Sequence, residues 1–106
     1  MSKLSVNLLT WNGEKYIPQL FQSLRNQTFK DWELLIIDNN SGDATVAKVE
    51  SELGNFSVPA KFIKNTVNRG FAAGHNQGLA EVKTELVLLL NQDIVLAPDY
   101  LEKIAG

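Results

Sequence analysis

Two stretches of this chain are apolar without interruption and stop at a polar, acid-bearing segment: Glu33-Leu-Leu-Ile-Ile-Asp38-Asn-Asn-Ser-Gly and Glu85-Leu-Val-Leu-Leu-Leu-Asn91-Gln-Asp93. A strand with one face in water alternates apolar and polar residues, whereas a strand covered on both faces does not. Four or five apolar residues in succession therefore predict a parallel sheet sandwiched between helices. Ligands of such sheets bind at the carboxyl ends of the strands. Asp38 and Asp93 are expected at one shared crevice, close enough to hold a hard cation, with neighbouring Asn and Gly residues offering polar edges to a phosphate-bearing ligand. A single Asp after a strand more often caps the next helix. Its recurrence at equivalent strand ends favours the ligand reading.

The other elements follow from local periodicity. Leu4–Leu9 reads as a first strand closed by Thr10-Trp-Asn-Gly13. Ile17, Leu20, Phe21 and Leu24 then fall at the i, i+3, i+4, i+7 spacing of a core-facing helix, with Pro18 tolerated in its first turn. Trp32–Asp38 is the second strand, and Ser41-Gly-Asp43 opens a helix with Val46, Val49 and Leu53 inward. Lys61–Lys64 makes a short third strand. Asn68-Arg-Gly70 leads into a third helix with Phe71, Gly74, Gly78, Leu79 and Val82 along or near one side. Its two glycines lower helix propensity, so close packing is their expected use. Glu85–Leu90 is the fourth strand. Strands alternating with helices imply right-handed crossovers and an α/β fold, three layers α/β/α around a mainly parallel, Rossmann-like sheet.

With 44% hydrophobic residues, a chain of 106 can bury one core and is expected to be a single domain or part of one. Met1-Ser-Lys reads as a start. Pro98–Gly106 begins a helix that stops after about two turns, so residues 1–106 are expected to be an amino-terminal piece of a longer unit. A net charge of −2, with Lys and Arg scattered singly, excludes a phosphate-tracking nucleic-acid surface. Without cysteine there is neither a disulfide framework nor a thiolate metal site, in keeping with a reducing compartment. No apolar run is long enough to cross a bilayer, and the start lacks a signal-peptide layout, so the cytoplasm is the expected location.

The loops carry the chemistry. Trp11 can stack on a base or ribose, and Asn12 can meet polar edges or act as a helix N-cap. Asp38, just past a buried strand, can accept the imide N–H of uracil or thymine while Ser41 and Asp43 cap the helix that follows. Asn68-Arg-Gly-Phe-Ala-Ala-Gly-His-Asn-Gln-Gly78 is neither a dinucleotide fingerprint nor a P-loop. Backbone N–H groups at a glycine-bearing helix start can still meet phosphate oxygens. Arg69 and His75 are candidate polar contacts there, although a lone His on a helix is ordinarily structural. Asp93, held between an apolar strand and the resumed run Ile94-Val-Leu96, is the expected ligand of Mg²⁺ or Mn²⁺.

Taken in order, Leu-Leu-Thr10-Trp-Asn12, Ile-Ile-Asp38-Asn-Asn-Ser-Gly-Asp43, Asn68-Arg-Gly70-Phe-Ala-Ala-Gly74-His-Asn76-Gln-Gly78 and Leu-Leu-Leu-Asn91-Gln-Asp93 resemble the family 2 glycosyltransferases with the GT-A fold. The nearest likeness is to their rhamnosyltransferase-like branch, and it spans nearly the whole chain. The resemblance implies a partial GT-A fold whose amino-terminal half binds a nucleoside-diphosphate sugar, UDP- or dTDP-linked. By the family's pattern Thr10 and Asn12 line the nucleotide pocket, Asp38 contacts the base, Asn68, Gly70 and Asn76 lie along the nucleotide and sugar, and Asp93 holds the metal on the diphosphate. Trp11 and Asn40, in the same loops, complete the nucleotide-sugar set. Two positions depart from the pattern: Asn91-Gln-Asp93 stands for D-x-D with an amide in place of one carboxylate, and His75 stands where many members carry Arg.

The implied mechanism is a direct displacement at the anomeric carbon with inversion, assisted by a carboxylate base that deprotonates a carbohydrate or lipid-linked acceptor. The resemblance puts that base and the acceptor walls beyond Gly106, so the 106 residues alone are expected to bind donor and transfer nothing. Asp99 reads as a helix-start carboxylate. The full-length protein is expected in the cytoplasm, peripherally at the inner membrane face. The rival readings are a non-catalytic nucleotide-binding or regulatory α/β module, a sugar nucleotidyltransferase, and a purely structural copy of the fold. A receiver domain needs an acidic pair where this chain has Thr10-Trp-Asn, and a nucleotidyltransferase needs a glycine-rich basic loop at the same place.

Overall fold

The computed structural model describes residues 2–106; Met1, the expected start, lies outside them. The elements run β1 (Leu4–Thr10), α1 (Ile17–Arg25), β2 (Trp32–Asp38), α2 (Thr45–Leu53), β3 (Ala60–Lys64), α3 (Phe71–Leu79), β4 (Leu86–Asn91) and α4 (Tyr100–Ala105). Four parallel strands form one sheet in the order β3-β2-β1-β4. Thr10 pairs with Asp38 and Leu9 with Asn91, so the carboxyl ends of β1, β2 and β4 lie level along one edge. The α/β architecture agrees with the sequence reading.

One face of the sheet carries the main core. Ile17, Leu20, Phe21 and Leu24 of α1 are all fully buried, as their spacing requires. Phe56 meets the rings of Phe21 and Trp32 edge-on, with centroids 5.7 and 5.9 Å apart. The chain after β4 is tied to the same face by a buried glutamine. Gln27 donates through Nε2 to the carbonyls of Ser23 and Ala97, and its Oε1 accepts from Leu101 N–H.

On the other face α3 crosses β1 and β2. Gly74 and Gly78 are there for proximity: a Cβ on Gly74 would lie 2.7 Å from Leu9 Cδ1, and one on Gly78 would lie 3.1 Å from Asn7 Nδ2. The apolar stripe expected on this helix is not formed. Gly74, His75 and Gly78 are its buried residues, whereas Phe71 and Leu79 are 62% and 39% exposed. A helix that approaches through its glycine side leaves its large residues flanking the contact.

The fourth strand also departs from expectation. It is an edge strand, not one covered on both faces, and Val87 and Leu89 are 39% and 44% exposed. Those two residues share the face on which α3 sits, but α3 packs over β1 and β2. Among the described residues, no helix is long and apolar enough to cross a membrane.

Candidate functional site

The carboxyl edge opens into a cavity of about 460 Å³, within the range of small-molecule sites. Thr10 and Trp11 line it from the end of β1, Asn39 from the end of β2, Asn68, Gly70 and Phe71 from the start of α3, and Asn91, Gln92 and Asp93 from the end of β4. Leu9 and Tyr16 complete the wall.

The β2 end is built around Asp38, which is 1% exposed. Its Oδ1 accepts from the hydroxyls of Thr10 (2.7 Å) and Ser41 (2.6 Å), and its Oδ2 accepts from Ser41 N–H at 2.8 Å. Asp38 therefore sits behind Thr10, and of the two strand-end carboxylates Asp93 is the one on the cavity wall. The Ser41 hydroxyl also accepts from Asn12 N–H, while Asn12 Oδ1 accepts from Gly42 N–H. Asn12 and Asn40 both have left-handed backbones, φ 46° and 68°, a conformation that Asn tolerates better than most residues. Of the three caps expected here, Asp43 does bond the first N–H of α2, at Thr45, and the other two do not form. Helix α1 starts after Tyr16, not Asn12, and Ser41 spends its hydroxyl on Asp38 and Asn12.

Asp43 closes the same loop cluster. It accepts from the hydroxyl and backbone N–H of Thr45 and from Glu14 N–H, and the Thr45 hydroxyl accepts from Gly13 N–H. Burial pushes the Asp43 carboxyl upward, but the bonds from Thr45 and Glu14 outweigh it and hold the group below its ordinary range.

Asn39, which sequence reasoning passed over, connects three loops. Its N–H donates to Thr10 O and its Nδ2 to Gly70 O, while its Oδ1 accepts from Arg69 N–H and Asn65 Nδ2. Asn65 in turn exchanges two 2.9 Å amide bonds with Gln77 of α3. This buried ladder fixes the start of α3, where Gly70 has φ 86° and ψ 170°, a backbone region essentially reserved for glycine. Gln92 was likewise missed: its Oε1 accepts from Trp11 N–H and its Nε2 donates to Trp11 O, both at 2.9 Å. The only sequence signals were amides next to residues already singled out.

Of the residues expected at the site, Thr10, Trp11, Asn68, Gly70 and Asp93 reach the cavity wall. Asn12 and Asp38 support that wall from behind, Asn40 is exposed in the β2 loop, and Asn76 is exposed on α3. His75 is buried, with its ring edge-on to Phe71 at 4.7 Å. Arg69 contributes its backbone N–H to Asn39.

Asp93 is the one carboxylate on the cavity wall among the described residues, and nowhere among them do three or more His, Cys, Asp or Glu gather to hold a metal ion. One carboxylate plus phosphate oxygens is a donor set that Mg²⁺ or Mn²⁺ accepts. The residues thus fit an ion shared with a bound diphosphate and do not fit a free-standing metal centre.

Residues 5–106 match the sequence profile of the family described as Glycosyl transferase family 2. An uncharacterized glycosyltransferase of Haemophilus influenzae is 31% identical over 101 residues, 95% of this chain and 31% of that protein. The teichoic acid poly(glycerol phosphate) polymerase of Staphylococcus epidermidis is 30% identical over 97% of this chain and 15% of its own length. The crystal structure of S. aureus TarS 1–349 in complex with UDP-GlcNAc matches with a TM-score of 0.88 at 30% identity, over 97% of this chain and 30% of that one. A mannosyltransferase from Pyrobaculum calidifontis, in complex with GDP-Man and Mn²⁺, shares the fold at a TM-score of 0.81 and 21% identity, over 86% of this chain and 27% of its own. The chain spans about a third of the length of these proteins or less.

Proposed function

Because the chain belongs to glycosyl transferase family 2, we propose that it is the donor-binding part of a glycosyltransferase and holds a pyrimidine nucleoside diphosphate sugar in the carboxyl-edge cavity. The observation that carries this reading is the composition of the wall: exposed aromatic faces at Trp11 and Phe71, amides and a glycine at the start of α3, and a single exposed carboxylate, Asp93. The UDP-bound and UDP-GlcNAc-bound forms of TarS, 30% identical to this chain, support uridine as the nucleoside, with deoxythymidine the alternative.

In this reading Trp11 and Phe71 offer flat apolar faces to the base and sugar rings. Asn68, Gly70 and the α3 start face the phosphates with polar and backbone N–H groups. Thr10 is fully buried and gives its hydroxyl to Asp38, so both act on the base through the β1 loop they anchor, with Asn12 and Asn40 setting the shape of the adjoining turns. Asn76 extends the polar surface along α3.

Asp93 is the residue on this wall that would hold Mg²⁺ or Mn²⁺. Such an ion, when bound, neutralises charge on the departing diphosphate. The acceptor hydroxyl, carbohydrate or lipid-linked, attacks the anomeric carbon from the side opposite that diphosphate, and configuration inverts. Asp93 is committed to the diphosphate, so the base that deprotonates the acceptor belongs to residues other than those on this wall. The same reading places the whole protein in the cytoplasm, peripheral to the inner membrane face.

Calorimetric titration of UDP and dTDP, each with and without Mn²⁺, on the wild type and Asp93→Ala tests the reading. Binding strengthened by Mn²⁺, with that gain lost in Asp93→Ala, is the expected result. Absence of binding by either nucleotide overturns the donor site, and binding indifferent to Mn²⁺ and to the substitution removes the metal.

A further inference from the structure

The β1–β4 ladder ends at the pair Leu9 and Asn91. Beyond it, the Gln92 side chain continues the pairing with backbone atoms of the other loop, accepting from Trp11 N–H and donating to Trp11 O at 2.9 Å each. A side-chain amide carries one acceptor and one donor in fixed geometry, and here it takes the place of a strand neighbour. The space it occupies belongs to Gly13. A Cβ at that position would lie 2.2 Å from Gln92 Oε1 and 2.4 Å from its Cδ. Gly70 is the glycine with positive φ among the described residues, so Gly13 is not required for a left-handed backbone. A side chain at Gly13 would have to displace the Gln92 amide from this space.

Trp11 precedes Asn12, whose backbone is left-handed, and Gln92 precedes Asp93. The two bonds therefore join the loop that carries the exposed indole to the loop that carries the cavity's carboxylate. We propose that Gln92, seated over Gly13, is a positioning residue that clasps the Trp11 loop to the Asp93 loop and sets the distance between the aromatic face and the carboxylate in the donor cavity. The inference rests on the reading of that cavity as a nucleotide-sugar site. Gln92 also lines the cavity, but both polar atoms of its amide are bonded to Trp11, so its effect on the donor passes through Trp11 and Asp93.

The clasp and the donor site can be tested apart. Trp32 is 1% exposed and Trp11 is 48% exposed, so acrylamide quenching of tryptophan fluorescence reports mainly on Trp11. Quenching and UDP affinity in the presence of Mn²⁺ are measured for Gln92→Ala, Gln92→Met, Gly13→Ala and the double variant Gly13→Ala/Gln92→Ala. Gln92→Met keeps the side-chain length and drops both bonds, so a result that follows bond loss and not cavity formation appears in both Gln92 variants. Each single variant is expected to increase quenching and weaken UDP binding about three- to tenfold, the scale of one or two lost hydrogen bonds. The double variant is expected to be no worse than Gln92→Ala, because the added methyl then has nothing to displace. Unchanged quenching in both Gln92 variants, or a Gly13→Ala effect that adds in full to Gln92→Ala, overturns the clasp. Wild-type protein that binds no UDP overturns the donor-site reading instead, and the quenching comparison still decides whether the clasp exists.

Discussion

The ends of β2 and β4 have nearly the same sequence grammar and opposite structural fates. β2 lies inside the sheet between β1 and β3; its apolar run is buried, and Asp38 gives its carboxylate entirely to Thr10 and Ser41. β4 lies at the edge with one side partly open, and Asp93 faces the cavity. What separates the two aspartates is where each stands relative to its strand. Asp38 is the last residue of β2, paired with Thr10 and within reach of its hydroxyl, whereas Asp93 lies two residues past the end of β4. The carboxylate at the interior strand end is buried and fully hydrogen-bonded, and the one beyond the edge strand is exposed on the cavity wall.

The largest expected contrast is in the strands themselves. Ile36→Ala, at a fully buried position of β2, should lower unfolding free energy by about 3 kcal/mol or more, and Leu89→Ala on the half-open face of β4 should cost about 1 kcal/mol. Comparable losses in urea denaturation would mean that β4 is covered as completely as β2. Next in size is the amide ladder. Asn39→Ala strands the Gly70 carbonyl, Arg69 N–H and Asn65 amide, and should cost about 2 kcal/mol, while Asn76→Ala on the exposed side of α3 should stay within about 0.5 kcal/mol. Equal effects would show that the ladder adds nothing. The smallest effect is on pH. Because the folded Asp43 holds its proton less tightly than the unfolded chain does, its contribution is complete above the unfolded value and fades as pH falls below about 4. Asp43→Asn should flatten that part of the stability profile, and an unchanged acid slope would contradict the assignment.

Local order was legible in the sequence and neighbourhood was not. The strand and helix sequence, the α1 stripe and the close-packing use of Gly74 and Gly78 follow from periodicity and propensity, which act over a few residues. The edge position of β4 does not, because Leu86–Leu90 would read identically beneath a covering helix. The same holds for Asn39, whose partners Asn65 and Gly70 lie 26 and 31 residues away, and for Gln92, which meets Trp11 across 81 residues. Trp11 and Asp93 could be expected at the cavity because they follow strand ends, whereas Thr10, Asn68 and Gly70, which also line it, were expected there from the family resemblance. The burial of Asp38 behind Thr10 could not be read from the sequence, because the pairing of β1 with β2 brings in its partner Thr10 from 28 residues away.

The division between the two aspartates is tested most directly by pairing thermal unfolding with Mn²⁺-dependent UDP binding in Asp38→Ala and Asp93→Ala. Asp38→Ala leaves the Thr10 and Ser41 donors unpaired and should lower Tm by roughly 10 °C. Asp93→Ala should keep Tm within about 2 °C of wild type and lose the gain in UDP affinity that Mn²⁺ confers. An Asp38→Ala protein that melts like wild type, or an Asp93→Ala protein that melts much lower with its Mn²⁺-dependent binding intact, would contradict the assignment of a structural role to one and a ligand role to the other.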